Sequence, residues 1–217
     1  MLPKSYAHGA NSTNLLGQTL GVNFDAAAEK WGDRQALVVS HQNLRWTYKD
    51  LKMRVDAFAA GLISLGLEPG DRIGIWSQNN SEWVVTQYAT AKTGLILVNI
   101  NPAYRALELE YAINKVGCKA LILSEKFKSS NYIEMLRQLA PSLRKSRPGK
   151  LAADRLKSLS HVIQIGGKTA SGCFDFDEVS ELASVSGYER VGELASKLQF
   201  DDPINIQFTS GTTGSPK

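Results

Sequence analysis

The sequence predicts an α/β protein in which a mainly parallel sheet is flanked by helices. Short runs of consecutive apolar residues, such as residues 95–98 (Leu-Ile-Leu-Val), read as strands that are buried on both faces. Segments with helical periodicity alternate with these runs, and glycines end several of those segments. The 217 residues suit one large domain or two small ones, and 43% apolar with 21% charged residues are ordinary globular values.

The first elements are a short helix, a hairpin and a long helix. Asn23 is predicted to cap a helix that buries Phe24, Ala27, Ala28 and Trp31. Residues 36–39 and 44–47 read as the two strands of a hairpin. Thr47 then fits an N-cap, with Asp50 three residues later, and the helix that follows ends at Gly66.

The remaining elements repeat the strand–helix alternation. Strands of the main sheet are expected near residues 36–39, 72–76, 95–98, 119–123, 161–165 and 204–209. Helices are expected from the cap Ser81 to Gly94, over residues 107–116 and over residues 132–139. Gly117 ends the second of these helices, and Pro141 prevents the third from continuing.

Residues 141–160 concentrate the positive charge of the chain. The segment holds six basic residues and one acid, so its charge is +5 and the rest of the chain sums to −1. The favoured interpretation is an insertion or linker, with a solvated loop and a short helix. A role in binding anionic lipid or coenzyme stays open. Nucleic acid is disfavoured, because the segment lacks interleaved aromatics and a known nucleic-acid-binding motif.

The cysteines and histidines give no sign of a metal centre or a catalytic triad. Cys118 and Cys173 stand far apart, as in a reduced protein, and Cys118 is expected to pack in the core. His8, His41 and His161 are scattered without ligand spacing. No apolar run is long enough for a transmembrane segment and no targeting signal is evident, so the predicted location is the cytosol.

A glycine- and hydroxyl-rich loop, residues 208–217 (Phe-Thr-Ser-Gly-Thr-Thr-Gly-Ser-Pro-Lys), follows the last predicted strand. Glycines let backbone N–H groups turn toward an anion, hydroxyls add short hydrogen bonds, and a lysine adds a mobile charge. The ligand that suits this set is a polyphosphate. The spacing differs from G-x-x-x-x-G-K-[ST], which disfavours a P-loop ATPase. Residues 166–172 (Gly-Gly-Lys-Thr-Ala-Ser-Gly) lack that spacing too and read as an ordinary turn.

The loop resembles the signature loop of the adenylate-forming enzymes, which include acyl-CoA synthetases, luciferases and peptide-synthetase adenylation domains. Residues 46–51 (Trp-Thr-Tyr-Lys-Asp-Leu) and residues 66–76 resemble junctions of the same family. Residues 99–105 (Asn-Ile-Asn-Pro-Ala-Tyr-Arg) and 108–111 resemble its medium- and long-chain fatty-acyl-CoA synthetase branch. The likeness extends from about Leu16 onward, and the chain is identified as the N-terminal part of that family's large domain.

The resemblance implies an acid–thiol ligase that uses ATP, Mg²⁺ and coenzyme A to activate a fatty acid through an acyl-adenylate. Residues 1–20 would form an N-terminal extension. Residues 21–217 would form part of the AMP-binding domain, truncated after the phosphate loop and inactive alone. Peripheral membrane contact and a homo-oligomer stay open, and no nucleic acid is implied. The alternative function is a non-catalytic nucleotide-binding or interaction module derived from such an enzyme. The implied cofactor-binding residues are Thr209, Ser210, Gly211, Thr212, Thr213, Gly214, Ser215, Pro216 and Lys217.

Overall fold

The computed structural model describes residues 12–13 and 15–209, and the predicted α/β architecture is confirmed there. Two short 3₁₀ helices, Ser40–Gln42 and Pro141–Lys145, supplement the regular elements. The helices are α1 (Leu20–Trp31), α2 (Tyr48–Ser64), α3 (Ser81–Thr93), α4 (Ala106–Val116), α5 (Tyr132–Leu139), α6 (Phe176–Glu181) and α7 (Val185–Ala195). The strands are β1 (Gln35–Val39), β2 (Leu44–Thr47), β3 (Arg72–Trp76), β4 (Ile96–Asn99), β5 (Cys118–Ser124), β6 (Lys126–Phe127), β7 (Ser130–Asn131), β8 (His161–Ile165), β9 (Phe174–Asp175) and β10 (Asn205–Gln207).

Six strands form the main sheet, in the order β10-β4-β3-β5-β8-β9, and every neighbouring pair is parallel. Residues 36–39 were expected in this sheet, and that part of the prediction is wrong. Strand β1 pairs antiparallel with β2 in a separate two-stranded hairpin, because the connection between them is too short for a parallel crossover. The sixth strand of the main sheet is β9, which lies in a stretch where the sequence indicated no element.

Two helix starts differ from the sequence prediction. Helix α1 begins one turn earlier than expected, because the Thr19 hydroxyl accepts a hydrogen bond from the Val22 N–H at 3.2 Å and caps it in place of Asn23. Helix α3 is capped by Asn80, whose Oδ1 accepts from the Trp83 N–H at 2.9 Å. The capping box of Thr47 and Asp50 on α2 is confirmed.

The sheet separates two apolar clusters, as the period-2 geometry of a strand requires. Helices α1, α2, α3, α6 and α7 cover one face, where Ile73, Ile75, Leu97, Ile122 and Ile163 belong to one cluster. Helices α4 and α5 and the segment 141–160 cover the other face, where the second cluster contains Trp76, Val98, Leu121, Leu123 and Val162.

Segment 141–160 is not the linker that the sequence predicted. Four of its leucines are buried in the second cluster, and they are Leu143, Leu151, Leu156 and Leu159. The backbone N–H of Leu151 donates to Ser160 at 3.1 Å, and the N–H of Ser160 donates to the Lys119 carbonyl at 3.0 Å. The segment is therefore a packed part of the domain whose charged side chains point outward.

Candidate functional site at the carboxyl edge of the sheet

The predicted phosphate loop follows β10 in the sequence, and of its residues only Phe208 and Thr209 lie in the described part of the chain. Gln207 of β10 is in register with Asn99 of β4, which is in register with Ile75 of β3. Because the strands are parallel, Thr209 leaves the sheet at the edge where all six strands end. Thr209 is exposed. The other eight predicted site residues, Ser210 to Lys217, lie outside the described residues, so their roles stay predictions.

Successive strands are added to opposite sides of β3, which makes a topological switch point in the sheet. Strand β4 lies on one side of β3, and the next strand along the chain, β5, lies on the other side. In open α/β sheets the crevice outside the carboxyl ends of strands at such a switch point is the usual place for a ligand. Strand β10, which the Gly-rich sequence follows, ends at the same edge as this switch point.

A buried polar network joins the ends of β3 and β5. The hydroxyls of Ser77 and Ser124 are 2.6 Å apart, and Asn80 donates its Nδ2 proton to the Ser77 oxygen at 2.9 Å. All three side chains are buried. Because each polar group has a hydrogen-bond partner, burying the network does not leave an unsatisfied donor or acceptor. The network also fixes the start of α3 to the sheet.

Three buried polar atoms at the same edge have no hydrogen-bond partner among the described residues. They are Trp76 Nε1, Gln78 Oε1 and Asn99 Oδ1. Such atoms cost about 1–3 kcal/mol each unless another group satisfies them. Trp76 is fully buried, and an edge role was not predicted from the sequence for any of the three residues. The available signal was the run of polar residues that follows β3.

Trp76 also links the strand ends to the turn after β4. Its indole stacks on the Tyr132 ring with centroids 3.7 Å apart, and the Tyr132 hydroxyl donates to the Pro102 carbonyl at 2.5 Å. Burial raises the pKa of Tyr132 to about 12, so the hydroxyl stays protonated at neutral pH. This contact holds the Asn-Pro turn, which the sequence likeness tied to the fatty-acyl branch, against the edge.

A cleft of about 580 Å³ lies between the hairpin, α2, α3 and α6, and none of its lining residues in the described part of the chain is a predicted site residue. The Arg54 guanidinium lies 4.3 Å from the Trp46 ring centroid, and Glu82 accepts from the Gln42 amide at 2.9 Å. Burial and the neighbouring Asp175 and Glu82 carboxylates raise the pKa of Asp177. The Ser81 hydroxyl in this cleft donates to the Glu82 carboxylate at 3.0 Å, a contact between neighbouring residues at the start of α3. We assign no chemistry to the cleft, because this contact between adjacent residues does not by itself make an activated nucleophile.

Neither cysteine nor either described histidine forms a reactive centre. Burial raises the pKa of Cys118 to about 12 and that of Cys173 to about 11, so both stay thiols at neutral pH. His41 is exposed and His161 is half-buried, while His8 lies outside the described residues. Within residues 12–13 and 15–209, no three His, Cys, Asp or Glu side chains group as a metal site, and no helix is long and apolar enough to cross a membrane.

Comparison with known families defines the class of protein. The family described as AMP-binding enzyme matches residues 24–217, which is most of the chain. The chain therefore belongs to the family of AMP-binding enzymes, as the loop and its neighbouring motifs predicted.

Three similar relatives of the chain are named as acyl-CoA ligases or synthetases. A Bos taurus protein named medium-chain acyl-CoA ligase ACSF2, mitochondrial, is 47% identical over 98% of this chain and 35% of its own length. Its Homo sapiens counterpart is 44% identical over 98% of this chain and 35% of its own length. The putative acyl-CoA synthetase YngI of Bacillus subtilis is 36% identical over 94% of this chain and 37% of its own length. The chain thus spans about a third of the length of these curated relatives.

Solved structures support the fold. The anthranilate CoA ligase AuaEII in complex with anthranoyl-AMP matches with a TM-score of 0.73 and 22% identity, over 94% of this chain and 34% of that one. The N-terminal domain of FACL13 from Mycobacterium tuberculosis matches with a TM-score of 0.71 and 24% identity, over 92% of this chain and 43% of that one.

Proposed function

We propose that the chain is the N-terminal part of an AMP-forming acid–thiol ligase that activates a fatty acid. The complete protein would join ATP to the acid as an acyl-adenylate, release pyrophosphate and pass the acyl group to coenzyme A. The observation that carries the proposal is the Gly/Ser/Thr/Lys-rich sequence that follows β10, a parallel strand whose carboxyl end lies at the edge where open α/β sheets usually bind ligands. The names of the acyl-CoA ligase relatives support the reaction and the acyl substrate.

The donor set of the loop fits the β- and γ-phosphates of ATP. Gly211 and Gly214 allow close approach of the backbone, and Pro216 stiffens the exit that presents Lys217. Backbone N–H groups, hydroxyls and one ammonium stabilise negative charge as pyrophosphate departs. We assign the hydroxyl contacts to Ser210, Thr212, Thr213 and Ser215, while Thr209 directly precedes them in the sequence, two residues after the end of β10.

Mg²⁺ would neutralise phosphate oxygens when bound. We assign no residue to it, because the described part of the chain groups no metal-ligating side chains. We assign residues 21–217 to the AMP-binding domain and residues 1–20 to an extension before it. We expect residues 1–217 alone not to form acyl-adenylate, because the motifs that the family uses for adenine and ribose do not occur in them.

The test separates the two half-reactions of the complete protein. Fatty-acid-dependent exchange of pyrophosphate into ATP measures adenylation, and thioester formation from preformed acyl-adenylate measures the second half. Lys217→Ala should slow the exchange reaction, because it removes about 2–4 kcal/mol of transition-state stabilisation. The second half should suffer less, because no pyrophosphate leaves there.

Lys168→Ala is the matched control, because Lys168 is an exposed lysine in the other Gly-rich stretch, residues 166–172. It should leave both half-reactions unchanged. A wild-type protein without fatty-acid-dependent exchange would contradict the function. Equal losses in both halves for Lys217→Ala would make Lys217 structural.

The cellular location is a separate proposal. The cytosol is the compartment predicted from the sequence, whereas the ACSF2 relatives carry "mitochondrial" in their names. Fractionation of cells that express the tagged full-length protein decides between the two compartments.

A further inference from the structure

The basic segment 141–160 is held firmly to the domain. Its four buried leucines pack into the second apolar cluster, and its backbone is bonded to Lys119 at the start of β5. Gly172, with φ +85°, passes so close that a Cβ there would lie 2.2 Å from the Leu143 carbonyl oxygen. The backbone of the segment is therefore held in place, and its outward side forms a defined surface.

All six basic side chains of this segment are exposed, and four have no ion-pair partner among the described residues. Arg144 bonds Glu134 at 2.8 Å, and Arg155 bonds Glu110 of α4 at 2.8 Å. The segment carries +5 while the rest of the chain sums to −1. The cations without an ion pair are Lys145, Arg147, Lys150 and Lys157.

The outward face of α4 adjoins this surface and adds apolar side chains. Leu107 is 72% exposed and Tyr111 is 37% exposed, one helical turn apart. Asn114 of the same helix donates its Nδ2 proton to the Arg155 carbonyl at 2.8 Å, next to the Arg155–Glu110 pair. These contacts join α4, with its two exposed apolar side chains, to the Arg155 end of the segment.

We propose that segment 141–160 and the outward face of α4 bind the surface of a membrane that contains anionic lipid. Clusters of four to eight Lys and Arg recognise anionic headgroups, and exposed apolar side chains beside them enter the boundary between headgroups and acyl chains. Because the rest of the chain is nearly neutral, the attraction would be local and would orient the molecule. This inference does not depend on the proposed ligase activity.

The test measures binding of the full-length protein to vesicles of phosphatidylcholine with and without 30% phosphatidylserine at ~0.1 M salt. The test variant carries Lys145→Ser, Arg147→Ser, Lys150→Ser and Lys157→Ser. A control variant with the same change in charge removes four exposed cations elsewhere, through Arg34→Ser, Arg45→Ser, Lys49→Ser and Lys197→Ser. Thermal melting of each variant establishes that it is folded.

The wild type should bind only the vesicles that contain phosphatidylserine, and added salt should weaken binding. The test variant should lose about 10²-fold or more in partitioning, since each cation near an anionic surface contributes about fivefold. The control should stay within about fivefold of the wild type.

Three results would overturn the proposal. The wild type could show no dependence on phosphatidylserine, or both quadruple variants could lose binding equally. The third result is calorimetric binding of free coenzyme A that the test variant loses while it still binds vesicles. That result would assign the cations to a soluble polyanion.

Discussion

At the scale of single residues, Gly61 sets how closely two helices approach. A Cβ at this position of α2 would lie 1.9 Å from the carbonyl oxygen of Val179 in α6 and 2.8 Å from its carbonyl carbon. Backbone atoms cannot move aside as the end of a flexible side chain can. Only glycine, which has no Cβ, therefore allows α2 and α6 to pack this closely.

We expect Gly61→Ala to lower the free energy of unfolding by about 1–3 kcal/mol, the usual range for an overpacked core. Gly192→Ala in α7 is the control, because nothing lies within 4 Å of its added Cβ. It should stabilise the fold by about 0.5–1 kcal/mol, since alanine favours a helix over glycine. Urea denaturation measures both, and a neutral Gly61→Ala would show that α6 shifts at no cost.

At the scale of elements, segment 141–160 shows how a run that is polar by composition becomes part of the core. Its leucines stand among charged residues without the regular period of a helix or strand, so no pattern marks them as buried. The structure buries four of them against β5 and β8. A linker would tolerate their loss, whereas a packed segment would not.

Leu156→Ala should therefore cost about 2–5 kcal/mol of unfolding free energy, as expected for a leucine with no exposed surface. Ser158→Ala, at an exposed position two residues away, should stay within ~0.5 kcal/mol of the wild type. Chemical denaturation of the two variants is the measurement. Equal stability of both would restore the linker interpretation.

At the scale of the whole molecule, the pH dependence of stability has an identifiable component near neutrality. His161 is half-buried at the start of β8, and its Nδ1 lies 2.8 Å from the Ser160 hydroxyl. Burial, assisted by the Lys119 and Lys150 charges, lowers its pKa below the ordinary 6.5. As the pH falls through 6.5, the unfolded chain takes up this proton more readily than the folded chain, so stability falls.

His161→Gln should remove that component. Between pH 7.5 and 5.5, the free energy of unfolding of the wild type should fall more steeply than that of the variant, while the two curves run parallel above pH 7.5. Urea denaturation at a series of pH values gives both curves. Parallel curves throughout, or a steeper fall in the variant, would contradict the assignment to His161. Carboxylates with a lowered pKa, such as Glu110 beside Arg155, act only at lower pH in both proteins.

Local patterns in the sequence were enough to predict most elements of the fold and the family. Short segments rich in apolar residues predicted β3, β4, β5 and β8, and Thr47 with Asp50 predicted the start of α2. These features depend on residues a few positions apart, whose interactions are set by the local backbone conformation. The loop at residues 209–217 predicted the family for the same reason, because its chemistry lies in one continuous string.

Tertiary structure alone decided the features that join distant parts of the chain. It placed β10 beside β4 and β1 outside the main sheet, although both read equally well as strands. It buried the leucines of segment 141–160 and gathered Trp76, Gln78 and Asn99 at one edge. Partners so far apart in sequence are chosen by the best joint burial of apolar surface and pairing of polar groups. That choice depends on all the elements at once, so no local window of the sequence contains it.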